Sequence, residues 1–413
     1  MFDAHEALCK AKNLYKKYEY LLFAIAFLAI ALLLRTSWMG FRSYDYEIFL
    51  AKWYDEIKAL GGLRGFASEI GDYSPAYKYI ITLITHLPIN GLYAYKLVSF
   101  LFDILLAVFT GLTVRHILGE NDLAGLMAYA VVLFLPGVFL NSAVWAQCDS
   151  IYTSFCITSF YFTLRGRGRI AMVFFGLAFA FKIQTVFYAP AVVIYLLKGK
   201  LKVTDLLFAL LAYVLCALPA IIAGMNVWKA LFGAYITQTQ EYSKLTMEAP
   251  NLYQMISENY IYSEPFAKMM IFFSFGVCAI FCTYFYRTRF RMDDRMALLI
   301  AYLFSLLLPY ILPHMHERYF YLSDIFAVIF VFAYPKKAYI AATTAYCSMR
   351  AVVKYLFDGA GTNISLMQIA FLLGAAIVVL CIFVYGQTRR NKLPLATEEQ
   401  PEQQSLKQTE DQQ

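Results

Sequence analysis

The sequence predicts an all-α polytopic membrane protein with about twelve transmembrane helices, and three observations carry that prediction. The chain is 61% hydrophobic and only 15% charged, far from the composition of a soluble domain. Apolar runs long enough to cross about 30 Å of hydrocarbon recur along nearly all of its 413 residues, so no appended soluble domain is expected. Lys and Arg gather in every second connection between those runs, as they do in short cytoplasmic loops. The net charge of +7 is scattered through these loops, where it sets membrane orientation and gives no sign of a nucleic-acid partner.

Taken in order, the runs are 18–36, 92–114, 123–141, 150–165, 169–182, 185–198, 204–224, 265–287, 295–312, 319–335, 338–356 and 363–387. The first follows Lys10, Lys12, Lys16 and Lys17 but lacks a small-residue cleavage site, so it reads as a retained anchor. The fifth and sixth are short, as broken or tilted helices wrapped in protein can be. Arg115, Arg165 to Arg169, Lys198 to Lys202, Arg287 to Arg295, Lys336 and Lys337, and Arg389 to Lys392 mark alternate connections as cytoplasmic, together with both termini. This alternation requires that residues 76–90, which carry Lys78 and His86 and end near Pro88, do not cross. The outer face then holds loops 37–91, 142–149, 225–264, 313–319 and 357–362, and a short break at Lys182. Beyond Gly386 the composition turns to Gln, Glu, Lys and Pro, which cannot bury a core, so residues 388–413 are expected to be a disordered cytoplasmic tail. With eight Cys, no CxxC pair and only Cys148 in an expected loop, neither a disulfide framework nor a zinc site is predicted.

Five polar clusters fall on that outer face. "SYDYEIFLAKWYDEI" places Asp45 and Glu47 just past the first run, with Asp45, Phe49, Trp53 and Glu56 at helical spacing; its plain reading is an interfacial helix capped by Asp45. "GDYSPAY" is an aromatic turn with Asp72 or Ser74 as cap, Tyr73 between them and Pro75 at the helix start. "NSAVWAQCDSIY" carries Trp145, Gln147 and Asp149, where an interfacial Trp and a capping Asp would need no function. "AFKIQTVFYAP" interrupts an apolar stretch with Lys182 and Gln184, at the end where the positive-inside bias recruits no cation. "LPHMHERYFYLSD" packs His314, His316, Glu317 and Arg318 into one connection; an HxH pair alone is weak evidence for metal, and converging cations suit phosphate better. Random caps would not all share one face, so the outer face is predicted to carry an active site.

In this order the segments resemble the GT-C superfamily of membrane glycosyltransferases. The likeness is strongest to bacterial mannosyltransferase-like proteins related to the GPI mannosyltransferase II group, and extends to dolichyl-phosphate-glucose glucosyltransferases. It rests on "DYEIFLAKWYDEI", "DYSPAYKYI", "SFLFDILLAVF" around Asp103, "PGVFLNSAVWAQCDSIY", "FKIQTVFYAPAVVIYLL" and "HMHERYFYLSD", and covers about residues 40 to 330. The ordered set is specific where no single motif is. Relatives often have "DYPP" where this chain has "DYSP", which loosens the turn and removes no catalytic group.

The resemblance implies a seven-span GT-C module over 1–225, with interfacial helices in a catalytic first outer loop at 37–91. A variable transmembrane module over 226–387 and the tail complete the chain. It implies transfer of a hexose, mannose or glucose, from a polyprenyl-phosphate carrier to a lipid-linked or cell-surface glycan on the non-cytoplasmic face. The anomeric centre inverts, and neither metal nor cofactor is needed beyond the lipid-linked donor. Asp45, the acid opening the first loop, takes the role of general base, with Glu47 and Asp72 as fallbacks. Chemistry agrees: an acceptor hydroxyl attacks well only when a base removes its proton as the bond forms. Inversion in one step needs a single catalytic carboxylate, and a departing phosphate needs fixed cations, for which Lys182, His316 and Arg318 are suited. Tyr46, Trp53, Tyr73 and Trp145 can stack on sugar faces or anchor at the interface. The competing functions are a lipid-linked-glycan flippase or transporter, which would place more polar residues at the midplane than Asp103 and Asp324, and a polymerase or ligase using a diphosphate carrier.

Overall fold

The structure is a computed structural model that describes residues 4–71, 73–240, 244–256, 263–357 and 364–393, and these are almost wholly helical. Helix α1 (Ala4–Thr36) leads into a first loop holding α2 (Ala51–Leu60) and α3 (Pro75–Ile84). There follow α4 (Gly91–Ile117), α5 (Asp122–Phe134), the single turn α6 (Pro136–Phe139), α7 (Asp149–Leu164), α8 (Gly168–Phe181), α9 (Ala189–Leu197) and α10 (Leu206–Ile222). The remainder comprises α11 (Ala234–Gln240), α12 (Glu264–Arg287), α13 (Asp294–Ile311), α14 (Tyr321–Ala333), α15 (Ala338–Leu356) and α16 (Leu366–Arg390). Two short strands, β1 (Thr246–Met247) and β2 (Met315–His316), pair in parallel.

Each of the twelve expected runs falls on helix, but they differ in reach. Among the described residues six helices are long and apolar enough to cross a membrane, or seven if the pair bent by 47° at Pro136 counts as one span. Pro136 breaks the run because it supplies no N–H to the helix ladder. At 1.5 Å per residue, crossing about 30 Å takes about 20 residues, whereas α7 has 16, α8 has 14, α9 has 9 and α14 has 13. Of these, α7 and α14 sit inside protein. Helix α7 buries Ser150, Thr153, Ser154, Thr158 and Ser159, and α14 is buried over most of its length beside α13, whose residues from Met296 to Ile311 are all buried. Helix α3, ten residues long, is too short to cross, as the charge alternation requires. Helix α16 continues to Arg390, and residues 394–413 of the expected tail lie outside the described residues.

Two buried cations fix the first loop to the bundle. Arg35 closes α1 and donates to Asp103 of α4 at 2.9 and 3.2 Å and to the Leu133 carbonyl at 3.0 Å, so Asp103 pairs with a neighbouring helix. Lys96 of α4 donates to the carbonyls of Trp38, Met39 and Phe41, in the turn just past the end of α1. Tyr46, Leu50, Tyr54, Ile57, Tyr77 and Tyr95 form a second apolar cluster beneath α2 and α3.

The loops sort to two ends. Arg165 meets Glu120 at 3.0 Å, while Lys200 and His116 both meet Asp294 at 2.7 and 3.1 Å, which gathers the connections rich in Lys and Arg. The first loop, the turn before α7, and the segments joined by β1 and β2 gather elsewhere, around a single cavity.

Candidate active site

A cavity of about 340 Å³ opens between the first loop and the β1–β2 pair. Asp45, Trp53, Tyr73, Gln147, Glu317, Arg318 and Tyr355 lie in its wall, with Lys244 and Glu248 on the β1 side. Asp45 is 8% exposed. It stands at the start of a wide helical turn, Tyr46–Leu50, yet its side chain makes no cap hydrogen bond there. The carboxylate turns inward instead. Its Oδ2 accepts from Trp145 Nε1 at 3.0 Å and Gln147 Nε2 at 2.7 Å, its Oδ1 accepts from the Tyr355 hydroxyl at 2.5 Å, and Arg318 Nη1 lies 3.8 Å from Oδ2.

The backbone explains how Trp145 and Gln147 reach one oxygen. A second wide turn, Leu140–Val144, ends at Trp145, and such turns recur at functional sites. Ala146 then adopts φ 64°, a left-handed conformation costing a non-glycine residue roughly 1–2 kcal/mol. It is held by Gln147 N donating to Asn141 O at 2.9 Å, Ser99 Oγ donating to Gln147 O at 2.7 Å and Ser43 Oγ donating to Trp145 O at 2.8 Å. The turn before Tyr73 needs glycine for a similar reason. Gly71 has φ 70°, and a Cβ there would sit 2.7 Å from the Trp53 ring.

Arg318 is the electrostatic centre. Its guanidinium lies 3.2 Å from Glu317 Oε1 and 3.6 Å from Asp149 Oδ2, and its Cζ is 5.3 Å from the Trp145 ring centroid. Burial pulls its pKa down, but Glu317, Asp149 and Asp45 outweigh that and hold it well above the ordinary arginine value. It therefore stays charged in the cavity wall. His316 lines the same wall, with Nδ1 3.7 Å from Glu317 Oε2.

The expected site residues divide into three groups. Asp45, Tyr73, Trp145, Gln147, His316, Glu317 and Arg318 come together. Lys182, Asp149 and Gln184 are buried but do not line the cavity: Lys182 pairs with Asp149, which also accepts from Asn141 Nδ2 at 2.8 Å. Lys182 is thus not a wall cation of this cavity, because a buried ammonium takes the nearest carboxylate as its partner. Glu47 is exposed and faces away from the cavity, since Asp45 and its second neighbour point in different directions on a helical turn. His314 Nδ1 donates to the Lys244 carbonyl at 2.7 Å and so ties β1 to the connection before β2. Asp72 lies outside the described residues.

Ser74 stands at the cap position of α3 as expected, although its hydroxyl donates to Phe181 O at 3.1 Å and not to the helix. Two other expected caps turn out otherwise. Asp149 is the first residue of α7, not its cap. Asp45, as described, faces the cavity. Cys148, expected in a loop, is buried. Tyr355, Lys244, Thr246 and Glu248 line the site without any sequence signal: Tyr355 ends an apolar run, and the others sit in a long loop whose partner only the β pairing fixes.

Residues 73–311 match the profile of Glycosyltransferase family 87, which is more than half of the chain. The chain belongs to glycosyltransferase family 87. It is therefore a membrane glycosyltransferase of the GT-C kind, a transferase acting on a sugar donor and an acceptor, and a transporter function is set aside. No curated protein matches the chain. In this family 87 enzyme the matched stretch includes Tyr73, Trp145, Gln147, Asp149 and Lys182, whereas Asp45, Arg318 and Tyr355 lie outside it. Of those three, only Tyr355 joins the site through geometry alone.

Proposed function

We propose that this enzyme transfers a hexose, mannose or glucose, from a polyprenyl-phosphate carrier to a glycan or glycolipid acceptor on the non-cytoplasmic face, inverting the anomeric centre, with Asp45 as general base. The observation that carries this reading is the buried Asp45 carboxylate, fixed by three neutral donors in a cavity whose wall also holds Arg318. In the reaction the acceptor O–H gives its proton to Asp45 as the acceptor oxygen bonds to C1 of the sugar. The bond from C1 to the phosphate oxygen breaks and its electron pair leaves with the phosphate. A carboxylate with fixed orientation needs no reorganisation at that moment. Arg318, Lys244 and His316 are the wall residues suited to meet the departing phosphate. Lys182 supports them from behind by keeping Asp149 in place beside Arg318. Trp53 and Tyr73, whose rings meet at 5.4 Å, offer aromatic surface to a sugar. The Lys and Arg alternation supports an outward-facing site, and the likeness to mannosyl- and glucosyltransferases supports a hexose.

The test is transfer by purified protein from polyprenyl-phosphate mannose or glucose to lipid-linked glycan extracted from cells lacking the protein, read by mass spectrometry. Asp45→Asn keeps the shape and removes the proton acceptor, so turnover should fall on the order of 10²–10⁴-fold with donor binding retained. Full turnover in Asp45→Asn would remove Asp45 as base, and transfer only from a diphosphate-linked or nucleotide-linked donor would replace the carrier.

A further inference from the structure

We infer that Tyr355 is a positioning residue that makes Oδ1 the reacting oxygen of Asp45; the inference rests on the reading of Asp45 as general base. A carboxylate offers about four lone-pair sites, two on each oxygen. Oδ2 already accepts from Trp145 Nε1 and Gln147 Nε2, with Arg318 nearby at 3.8 Å. Both of its sites are taken. Among the described residues Oδ1 accepts only from the Tyr355 hydroxyl, at 2.5 Å, which leaves one site for an incoming proton. Tyr355 lines the cavity, so that remaining site borders the space a substrate would fill.

The tyrosine is itself held in place. Its ring stacks on Trp145, with centroids 5.0 Å apart and planes inclined by 25°. Trp145 therefore braces the carboxylate twice, through its own N–H and through the ring that carries the Tyr355 hydroxyl. Tyr355 lies near the end of α15, far from the first loop in sequence and outside the matched family stretch. The C-terminal helices thereby complete a base that the first loop supplies.

Two consequences separate this role from simple packing. A hydroxyl donating to Oδ1 disfavours protonation of that oxygen, so its loss leaves the carboxylate holding a proton more tightly. The freed carboxylate also loses one of the three bonds that orient it. Tyr355→Phe keeps the stacked ring and removes only the donor. The expected result is a turnover number lower by about tenfold or more, an unchanged KM for the lipid-linked donor, and an acidic limb of the kcat profile displaced to higher pH. Replacing Tyr355 with 3-fluorotyrosine, a stronger donor, should displace that limb to lower pH while keeping the same stack.

Acidic limbs that coincide in wild type, Tyr355→Phe and the fluorotyrosine protein would overturn the inference, whatever happens to kcat. Asp45→Asn measured in parallel separates the two readings. If it keeps its activity, the base assignment fails; if it is inactive while the Tyr355 variants titrate as wild type, the base stands and the role of Tyr355 fails.

Discussion

Lys182 and Asp149 form an ion pair buried on both sides, with 5% and 1% of their side chains exposed, beneath the cavity and not in its wall. Removing one member of such a pair leaves an uncompensated buried charge, which costs about 3–5 kcal/mol. Lys182→Ala should therefore unfold at lower temperature or denaturant in detergent, and lose activity with its fold. Lys182→Met combined with Asp149→Asn leaves no net charge behind, so it should recover much of that stability. A Lys182→Ala protein as stable as wild type, with only donor affinity reduced, would move the lysine back into direct phosphate contact.

His314 gives the joined β1 and β2 segments a pH dependence. Burial lowers its pKa below the ordinary 6.5, and the hydrogen bond to the Lys244 carbonyl offsets this in part. The folded protein thus takes up this proton less readily than the unfolded chain. Stability is complete above the unfolded value and is lost as pH falls through 6.5 toward the lower folded value. His314→Gln can still donate to the Lys244 carbonyl but does not titrate. Its unfolding temperature should fall less than that of wild type between about pH 7.5 and pH 5.5; equal falls in both proteins would locate the titration elsewhere.

Much of this site was legible in the sequence because it lies in polar breaks between apolar runs. Asp45, Trp145, Gln147 and Arg318 stand out against 61% hydrophobic surroundings, and charge alternation puts their loops on one face without any structure. Hydropathy does not say which polar residue meets which. Lys182 is conspicuous as a cation among apolar residues, but its partner Asp149 is 33 positions away and is set by the packing of α7 against the end of α8. Tyr355 is silent for a different reason: its ring belongs in an apolar helix, and only its hydroxyl reaches Asp45, 310 positions earlier. Counting apolar runs likewise finds the apolar helices but not their reach, because α7 and α14 are enclosed by neighbours and need not match the thickness of a bilayer.

Topology is open to direct labelling, although the native thiol nearest the site cannot report it, since Cys148 is buried, and Ser323 is equally enclosed. Leu63 in the first loop and Val203 in the connection before α10 are both well exposed. A cysteine at Leu63 should react with a membrane-impermeant maleimide on intact cells, and one at Val203 only after permeabilisation. The reverse pattern would put the cavity on the cytoplasmic face.

Arg318 is the residue whose substitution most needs care in choosing. It neutralises Glu317 at 3.2 Å, approaches Asp149 at 3.6 Å and Asp45 at 3.8 Å, and Glu317 is itself only 1% exposed. Arg318→Ala would strip the cation from this carboxylate cluster and should destabilise the fold by about 3–5 kcal/mol, so its loss of activity would say little about phosphate. Arg318→Lys keeps the charge but cannot present a planar fork to two oxygens at once. The lysine variant should fold, bind the lipid-linked donor roughly tenfold or more weakly, and turn over more slowly, since a charge-assisted contact is worth about 1.5–3 kcal/mol. Donor titration of purified protein together with single-turnover transfer separates binding from chemistry. If Arg318→Lys binds and transfers as wild type does, the phosphate contact belongs to Lys244 and His316, and Arg318 serves the carboxylates alone.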